Sequence, residues 1–311
     1  MVDLVSPDCT CVCAVIVTHN IGEAIHKCVD SVRDQVGHIV AIDNGSDEPT
    51  RRELDKLSST NSVTIILNER NEGTARALNQ GVQWALGKGF QWVLTLDHDS
   101  KATPGMVDKL LHAHETLCQQ GYRDVGIIGA NPFDENGHVY LEGYRPGETD
   151  RKPIEREYLI SSGSMIAGRV FDRVGLFDET FFIYYVDDDF CVRLRRSGFR
   201  LFLCAEAVLL HREGRKETKR FFWRRVLYDN YGKCARYYIT RNAIYLMKKH
   251  DLGFNYSYLL VRRLVTDHIK LLLYDKELFP KLRFSLNGLA DGLRGRFGPM
   301  PSQSTYDKWG S

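Results

Sequence analysis

The sequence lacks the features that would place the protein in a membrane or export it from the cell. No uninterrupted apolar run approaches the roughly 20 residues that a membrane-spanning helix needs. The best candidate, residues 256–273, is broken by Arg262, Arg263, Asp267 and Lys270. The first residues have neither a basic region nor an apolar core, so a signal peptide is not expected. We therefore expect a cytoplasmic protein.

Motifs of several common protein classes are also missing. There is no G-x-G-x-x-G loop and no Walker A lysine loop, which disfavours a dehydrogenase or a nucleoside triphosphatase. Eight cysteines are scattered without the paired spacing of a zinc finger, which fits a reducing compartment. The formal net charge is only +2, which does not suggest the basic groove of a nucleic-acid-binding module, and no nucleic-acid partner is expected.

What the sequence does contain is a regular alternation of strand and helix patterns in its first half. Such alternation predicts an α/β fold with a mostly parallel central sheet and helices on both faces. With 311 residues, of which 43% are hydrophobic, the chain suffices for one large domain with extensions or two smaller domains. The predicted strands are 12–18, 38–42, 63–67, 92–96 and 125–130, and the predicted helices are 21–35, 49–57, 73–86 and 104–117.

The pattern changes after residue 131. From Thr218 onward helical patterns predominate, which predicts a helical C-terminal extension over 216–286. The stretch 287–311 is rich in Gly, Pro and Ser and is predicted to be a flexible tail. Between residue 131 and the helical extension we predict a strand over 158–166, a helix over 187–197 and short strands over 199–203 and 207–211.

The most informative feature is a pair of aspartates directly after the predicted strand 92–96. Side chains two positions apart on a strand point the same way, so Asp97 and Asp99 can converge beyond the strand's carboxyl end. Ligands bind at that edge of open α/β sheets. Two carboxylates there suit a divalent cation that also holds a diphosphate. The pair therefore predicts an enzyme that handles a nucleotide-linked substrate.

Polar residues follow three other predicted strands and would line the same edge, namely Thr18-His19-Asn20, Asp43-Asn44 and Asn68-Glu69-Arg70-Asn71. A helix then starts at Gly73, where a ligand can approach the backbone, with Arg76 about one turn in and Asn79 on the same face. The alternative is that these are ordinary turn residues, followed by an ordinary helix with an exposed arginine.

A second acidic cluster, Asp187-Asp188-Asp189, follows aromatic residues at the start of a predicted helix. A carboxylate beside apolar surface is a natural general base for a sugar hydroxyl. The alternative is a helix N-terminus enriched in Asp because of the helix dipole. His211 follows an apolar strand, and such a histidine taken alone is more often structural than a ligand.

Taken together, these motifs resemble the inverting GT-A glycosyltransferases of family 2, and more narrowly the bacterial rhamnosyltransferases. The resemblance extends over roughly residues 12–246, with the motifs in the family's order. His98 is a departure, since the rhamnosyltransferase form usually has Gln between the two acids. The matching segments are 15–20, 41–46, 71–81, 96–100, 161–165, 174–179, 185–193 and 210–214, with Arg241-Asn242 beyond them.

The resemblance implies a GT-A fold with a catalytic domain over residues 1–215, divided into a nucleotide-binding half at about 12–100 and an acceptor half at about 101–215. It implies that Asp97, Asp99 and His211 hold Mg²⁺ or Mn²⁺, and that Asp187 is the catalytic base, with Asp189 as second choice. The implied donor-binding residues are Thr18, Asn20, Asp43, Gly73, Arg76, Asn79 and Asp97. The implied acceptor residues are Ser162, Gly163 and Asp188.

The reaction implied by the resemblance moves L-rhamnose from dTDP-rhamnose to a hydroxyl of a glycan or lipid-linked acceptor, by single inverting displacement, in cell-surface polysaccharide synthesis. A UDP-sugar donor (galactofuranose, glucose or N-acetylglucosamine) is the first alternative, since the first-half motifs barely discriminate the sugar. A catalytically silent, membrane-associated binding protein on the same scaffold is the second. The intact Asp97, Asp99, Asp187 and His211 argue against it.

A basic stretch at 212–225 contains Phe221-Phe222-Trp223. Basic residues beside aromatic ones suit an anionic membrane interface, so peripheral contact with the cytoplasmic face of the inner membrane is expected. The alternative is a solvated face with buried aromatics. A helical C-terminal region with exposed apolar residues would serve a homodimer as readily as a membrane.

Overall fold

The computed structural model describes residues 8–134, 139–140, 142–148, 152–211, 216–250 and 254–300. Residues 212–215 of the predicted basic stretch and residues 301–311 of the predicted tail lie outside these ranges. Among the described residues, no helix is both long enough and apolar enough to cross a membrane.

Strands and helices alternate through the first half, as predicted. The strands are β1 (Val12–Thr18), β2 (His38–Asp43), β3 (Val63–Leu67), β4 (Trp92–Asp97), β5 (Lys101–Ala102), β6 (Val125–Asp134), β7 (Val139–Tyr140), β8 (Ile154–Arg156), β9 (Ser164–Ala167), β10 (Arg200–Leu210), β11 (Lys216–Phe221) and β12 (Arg224–Asp229). The helices are α1 (Ile25–Val32), α2 (Glu48–Ser58), α3 (Thr74–Gly87), α4 (Met106–Gln119), α5 (Gly168–Val174), α6 (Val186–Arg196), α7 (Lys233–Lys249), α8 (Phe254–Tyr274) and α9 (Leu278–Arg294).

One mixed sheet organises the first part of the chain, in the order β3-β2-β1-β4-β9-β6-β10-β5, with β7 beside β6 and β8 beside β10. β3, β2, β1 and β4 are parallel, and β9 runs antiparallel between β4 and β6. Consecutive residues of β1, β2 and β4 are buried, so both faces of these strands are covered. The predicted α/β fold is confirmed, and the carboxyl ends of the four parallel strands meet at one edge.

Local sequence sets the helices that begin near this edge. α2 starts after Asp47, whose carboxylate accepts the Thr50 N–H. α3 starts after Gly73, at φ +90°, a conformation that residues with a side chain rarely adopt. A Cβ on Gly81 would lie 2.3 Å from Val15 Cγ1, so this glycine lets α3 pack tightly on β1.

Two predicted strand boundaries differ in the structure. The strand predicted over 158–166 is reduced to β9, because Gly163 turns the chain at φ +82° just before it. The two short strands predicted within 199–211 are one strand, β10, whose pairing with β6 is irregular in the middle. A bulge of this kind interrupts the apolar pattern without ending the strand.

The chain from Lys216 to Asp229 forms a β-hairpin where a helix was predicted. β11 and β12 pair antiparallel, with Thr218 opposite Leu227 and the turn at Phe222-Trp223. Burial alternates along β12 between Arg225 and Tyr228, which is the period of a strand. Cross-strand pairing therefore decides the structure of this highly charged stretch.

α9 reaches Arg294 and so extends into the stretch predicted to be a flexible tail. A Cβ on Gly288 would lie 2.3 Å from the Tyr237 carbonyl oxygen, and one on Gly292 would lie 2.9 Å from the Arg241 carbonyl oxygen. These glycines allow α9 to pack closely against α7. Here the glycine content reflects helix packing rather than flexibility.

The chain divides into two compact units. The first comprises Met1–Glu179, Val186–Arg212 and Gly310–Ser311, whereas the second comprises Thr180–Tyr185 and Glu213–Trp309. The second unit contains the hairpin and the C-terminal helices α7, α8 and α9. Its core cluster is formed by Phe182, Cys234, Tyr237, Tyr238 and Met300.

Candidate active site

The pair of aspartates lies at the end of β4. Asp97 is the last residue of this buried strand, and its backbone N–H donates to Ser162 Oγ at 3.0 Å. Burial raises the pKa of Asp97, the nearby His211 opposes that shift, and Asp99 adds to it. A buried carboxylate next to a second one is a place where a bound cation is strongly favoured.

Asp97, Asp99 and His211 come together at this edge of the sheet. Each offers one ligand atom, and the three atoms lie within 4.8 Å of one another. Asp99 is exposed, and the other two are half-buried. Carboxylate oxygens with one imidazole nitrogen suit Mn²⁺ or Mg²⁺, so this donor set fits the cation implied by the resemblance.

Two serines orient the histidine. Ser100 is fully buried, and its hydroxyl lies 2.9 Å from His211 Nδ1 and 2.9 Å from Ser162 Oγ. Because Nδ1 is hydrogen-bonded to Ser100, Nε2 is the ring nitrogen that remains to bind a cation. Ser162, which the resemblance assigned to the acceptor, is itself buried and bonded to Ser100 and to the Asp97 N–H.

Asp187 lies in the first turn of α6 and is half-buried. Its Oδ2 accepts hydrogen bonds from the Tyr158 hydroxyl at 2.9 Å and from the Ser161 N–H at 3.3 Å, and its Oδ1 accepts the Asp188 N–H at 3.1 Å. Burial and the charge of Asp187 raise the pKa of Tyr158 well above its usual value, so the phenol remains a donor. Asp187 also contributes to the raised pKa of Asp97, so the two acids share one electrostatic environment.

Asp189 has different surroundings. Its side chain is fully buried and lies 2.8 Å from the Arg193 guanidinium, one turn further along α6. Arg193 also donates to the Val174 and Leu176 carbonyls at 2.8 and 2.9 Å. Asp189 is thus part of a contact that fastens α6 to the end of α5, which favours Asp187 over Asp189 as a base.

The ends of β1 and β2 form the next part of the edge. The sheet register places Thr18 beside Asp43. Asp43 is fully buried, accepts the Ser46 N–H at 3.1 Å and lies 3.3 Å from the Arg51 guanidinium. Asn20 adopts φ +51°, and its N–H donates to Ser46 Oγ at 3.0 Å. The buried Thr18 hydroxyl has no hydrogen-bond partner in the described part of the chain.

Asn44 connects this edge to the start of α3. Its Nδ2 lies 3.1 Å from Asn71 Oδ1, and its Oδ1 accepts the Glu72 N–H at 2.9 Å. The Gly73 N–H donates to Asn71 Oδ1 at 2.9 Å. These bonds fix the N-terminus of α3, with Gly73 at its cap, next to the loop after β2.

Arg76 and Asn79 of α3 differ in accessibility. Arg76 is half-exposed and lies 4.0 Å from the Glu72 carboxylate, a separation that leaves it available to an anion. Asn79 is buried, donates to the Phe177 carbonyl at 2.9 Å and accepts the Phe177 N–H at 2.9 Å. Its side chain therefore holds the loop at Phe177, although the sequence placed it among the donor-binding residues.

Several residues of the site received no individual role from the sequence. Tyr158 lies in an irregular loop, at the start of the stretch predicted to be a strand over 158–166. Ser100 directly follows the two acids, and that adjacency was its only signal. Asn68 and Gln80 form reciprocal amide bonds of 2.9 and 2.8 Å that join the end of β3 to α3, and only the tertiary structure pairs them.

Comparison with known proteins defines the class of protein to which this fold belongs. The model described as Glycosyl transferase family 2 matches residues 13–175, slightly more than half of the 311 residues. The chain therefore belongs to glycosyltransferase family 2 and is a glycosyltransferase, as the sequence motifs predicted.

The relatives narrow the resemblance. The dTDP-rhamnosyl transferase RfbF of Shigella flexneri is 28% identical over 253 residues, which are 77% of this chain and 80% of that protein. The low-salt glycan biosynthesis hexosyltransferase Agl10 of Haloferax volcanii is 26% identical over 98 residues, which are 32% of this chain and 27% of that protein. The predicted likeness to rhamnosyltransferases is confirmed by the first of these.

Solved structures agree on the fold. GalNAc-T7 with UDP, GalNAc and Mn²⁺ has a TM-score of 0.54 at 22% identity, covering 64% of this chain and 42% of that one. TarS of S. aureus has a TM-score of 0.56 at 14% identity, covering 91% and 48%, and its fragment 1–349 has 0.55 at 13%, covering 92% and 81%. This chain thus spans less than half of the first two. These neighbours are GT-A glycosyltransferases, and they confirm the GT-A fold.

Proposed function

We propose that this glycosyltransferase moves L-rhamnose from dTDP-rhamnose to a hydroxyl of a glycan or lipid-linked acceptor in the synthesis of a cell-surface polysaccharide. The observation that carries the proposal is the oriented carboxylate of Asp187, held by Tyr158 and Ser161 in the same unit as the cation-binding group of Asp97, Asp99 and His211. The name of the Shigella relative, which aligns with 77% of the chain, supports the choice of donor.

Asp97, Asp99 and His211 are the residues that would hold Mg²⁺ or Mn²⁺. When bound, such a cation neutralises charge that develops on the departing nucleoside diphosphate. Ser100 fixes the ring of His211, so the ligand geometry does not have to be built at the moment of binding. The nucleotide lies, in this proposal, along the edge formed by Thr18, Asn20, Asp43, Gly73 and Arg76.

Asp187 is the general base in the proposed reaction. It takes the proton of the acceptor hydroxyl while that oxygen attacks the anomeric carbon of the sugar. The bond from this carbon to the diphosphate oxygen breaks on the opposite face, its electron pair leaves with the diphosphate, and the configuration inverts. Asp187 Oδ1 accepts one backbone N–H and so retains a lone pair for the proton. We place the acceptor next to Asp188 and Gly163.

A thermal-shift panel tests the donor. dTDP-rhamnose, UDP-glucose, UDP-galactofuranose and UDP-N-acetylglucosamine are each added with Mn²⁺, with Mg²⁺ or with EDTA. We expect dTDP-rhamnose with a divalent cation to raise the melting temperature most, because a ligand at 100 times its Kd stabilises the folded state by about 2.7 kcal/mol.

A UDP-sugar is the second candidate donor, because GalNAc-T7, which shares the fold, was solved with UDP and GalNAc. Equal or larger stabilisation by a UDP-sugar would discard rhamnose and retain the transfer mechanism. Stabilisation by none of the four would contradict the assignment of this edge as the donor site.

The second unit carries exposed apolar side chains next to basic ones. At the hairpin turn Phe222 and Trp223 are 78% and 82% exposed, with Arg220 and Arg225 exposed beside them. The alternative of buried aromatics therefore does not describe these two side chains. Further exposed apolar residues of this unit are Tyr258, Leu259, Val261, Val265, Ile269, Leu272 and Leu273 of α8 and Phe279, Leu286, Leu289 and Leu293 of α9.

Aromatic side chains framed by arginines suit the headgroup region of an anionic bilayer, so we assign this surface to peripheral contact with the cytoplasmic face of the membrane. Sedimentation with phosphatidylglycerol vesicles should exceed that with phosphatidylcholine vesicles, and Phe222→Ser/Trp223→Ser should reduce it. Absence of sedimentation together with a dimer in light scattering would assign the apolar surface to a second copy of the chain instead.

A further inference from the structure

We propose that Arg241 and Asn242 of α7 are positioning residues for catalysis. They hold the segment Thr180–Tyr185 in a strained conformation, and the chain runs from this segment directly into α6, which carries Asp187. The proposal rests on the proposed role of Asp187 as base, and it assigns a function in turnover to residues whose side chains point into the core of the second unit.

The held segment is strained. Phe182, Tyr184 and Tyr185 have φ of +65°, +62° and +61°, in the left-handed region that bulky side chains rarely adopt. Such conformations persist only where the surroundings over-determine them, and they concentrate at functional sites. Three of them within four residues, ending directly before the first residue of α6, indicate that the path of the chain into this helix is imposed from outside the segment.

Asn242 supplies one set of contacts that impose this path. It is fully buried, and its Nδ2 donates to the Phe181, Ile183 and Tyr184 carbonyls at 2.8, 2.6 and 3.0 Å. One amide group thus forms hydrogen bonds to three carbonyls of a six-residue segment. Its Oδ1 accepts the Arg241 Nε–H at 2.9 Å, which fixes the orientation of the amide.

Arg241 supplies the second set. It is fully buried, and its Nη2 donates to the Thr180 and Phe181 carbonyls at 3.3 and 3.0 Å, while its Nη1 donates to the Gly298 carbonyl. Tyr238 lies within cation–π distance, with its ring centroid 4.7 Å from the guanidinium carbon. Burial lowers the pKa of Arg241, yet a guanidinium remains charged at neutral pH. If the segment changed its conformation, this buried charge would lose its carbonyl partners at a high energetic cost, so the contacts oppose such a change.

The aromatic side chains of the segment add to this rigidity. Phe182 stacks on Tyr238, with ring centroids 5.3 Å apart and planes at 10°. The Tyr238 hydroxyl accepts the Met300 N–H at 2.8 Å. Phe182 thus combines a left-handed φ with stacking on Tyr238, so the packing of its ring stabilises the strained backbone.

The consequence for Asp187 follows from chain geometry. Tyr185 and Asp187 are two residues apart, so a change in the φ of Tyr185 redirects the first turn of α6. Displacement of a catalytic group by about 1 Å can cost about 100-fold in rate. Loss of the Asn242 contacts therefore lowers turnover without altering the residues that bind the donor.

The test compares two variants of α7. Asn242→Ala removes the three contacts, and Leu246→Ala, one turn further along and also fully buried, removes apolar packing but no hydrogen bond to the segment. At a temperature where both are fully folded, we expect kcat of Asn242→Ala to fall by about 10- to 100-fold with donor Kd changed less than twofold. Leu246→Ala should keep kcat while losing a comparable amount of melting temperature.

A double variant separates positioning from general destabilisation. If the Asn242 contacts act through Asp187, then Asp187→Asn/Asn242→Ala should be no slower than Asp187→Asn alone, because the group being positioned is already absent. Additive losses in the double variant, or equal kcat losses in Asn242→Ala and Leu246→Ala, would overturn the proposal.

Failure of the positioning role and failure of the proposed function give different results. If Asp187→Asn keeps normal turnover, the base assignment fails, whereas normal turnover of Asn242→Ala refutes only the positioning role. If Asn242→Ala does not accumulate as folded protein, Arg241→Lys gives the same readout, since one ammonium replaces a guanidinium that binds three carbonyls.

Discussion

Two pairs of aspartates with the same spacing have opposite arrangements in this protein. Asp97 and Asp99 are two residues apart at the end of a strand, and their carboxylates converge with His211. Asp187 and Asp189 are also two apart, but they lie on a helix, where such a spacing turns the side chains to nearly opposite sides. Asp187 meets Tyr158, and Asp189 is buried against Arg193. Identical sequence spacing thus brings the carboxylates together where a strand ends in a turn, with Asp99 in that turn, and separates them on a helix.

The largest effect on turnover should come from Asp187→Asn. The amide cannot accept the acceptor proton, so we expect kcat to fall by about 10²- to 10⁴-fold, while donor affinity measured by titration calorimetry stays unchanged. Asp172→Asn changes an exposed aspartate of α5 outside the proposed site; it is the control and should leave kcat unchanged. Near-normal turnover of Asp187→Asn would show that Asp187 is not the base.

Asp99→Ala tests the strand pair. It removes the exposed carboxylate of the cation-binding group, so the extra thermal stabilisation by the donor that Mn²⁺ or Mg²⁺ provides should disappear, as it should in EDTA. The unliganded melting temperature should change little because Asp99 is exposed. Cation-dependent donor binding that survives in Asp99→Ala would contradict a metal role for the pair.

Asp189→Asn should affect stability rather than chemistry. It leaves the largely buried Arg193 without its partner, and removing one member of such a pair costs about 3–5 kcal/mol. The control is Arg52→Gln, which breaks an exposed ion pair of the same spacing with Glu48 and should cost about 0.5 kcal/mol or less. Urea unfolding measures the loss of stability in both variants. A loss of turnover per folded molecule in Asp189→Asn would instead indicate that Asp189 takes part in the reaction.

The smallest of these effects should come from Tyr158→Phe. The variant removes one hydrogen bond to the Asp187 carboxylate and leaves the Ser161 N–H in place. A hydrogen bond to a charged group contributes about 1.5–3 kcal/mol, so we expect a decrease in kcat of about 10- to 150-fold with unchanged donor affinity. An unchanged kcat would mean that the backbone alone orients the carboxylate.

The strands β1 to β4 and the polar residues that follow them were predictable because both signals are local. Apolar runs mark the strands, and covalent adjacency places Asp97 and Asp99 at the strand end. The hairpin of β11 and β12 was not predictable in this way. Its many charged residues obscure the alternation of apolar and polar residues that marks a strand. The antiparallel pairing of β11 with β12 favours the hairpin over a helix.

Long-range partners had no local signal either. Ser100 meets His211 because β5, which directly follows Ser100, pairs antiparallel with the end of β10, with Lys101 opposite Leu210. Tyr158 meets Asp187 through an irregular loop, and Asn79 meets the Phe177 backbone across the first unit. Each of these bonds satisfies a buried polar group, which is a requirement of the folded interior and not of the sequence pattern.

The sequence by itself determined the α/β architecture, the family and the acids of the proposed active site, because periodicity and short motifs act over a few residues. Only the tertiary structure decided that Asp189 is held in an ion pair with Arg193 whereas Asp187 is not, and which side chains orient each acid. Those distinctions depend on burial and on partners far apart in the chain, and packing alone brings such groups within hydrogen-bond distance.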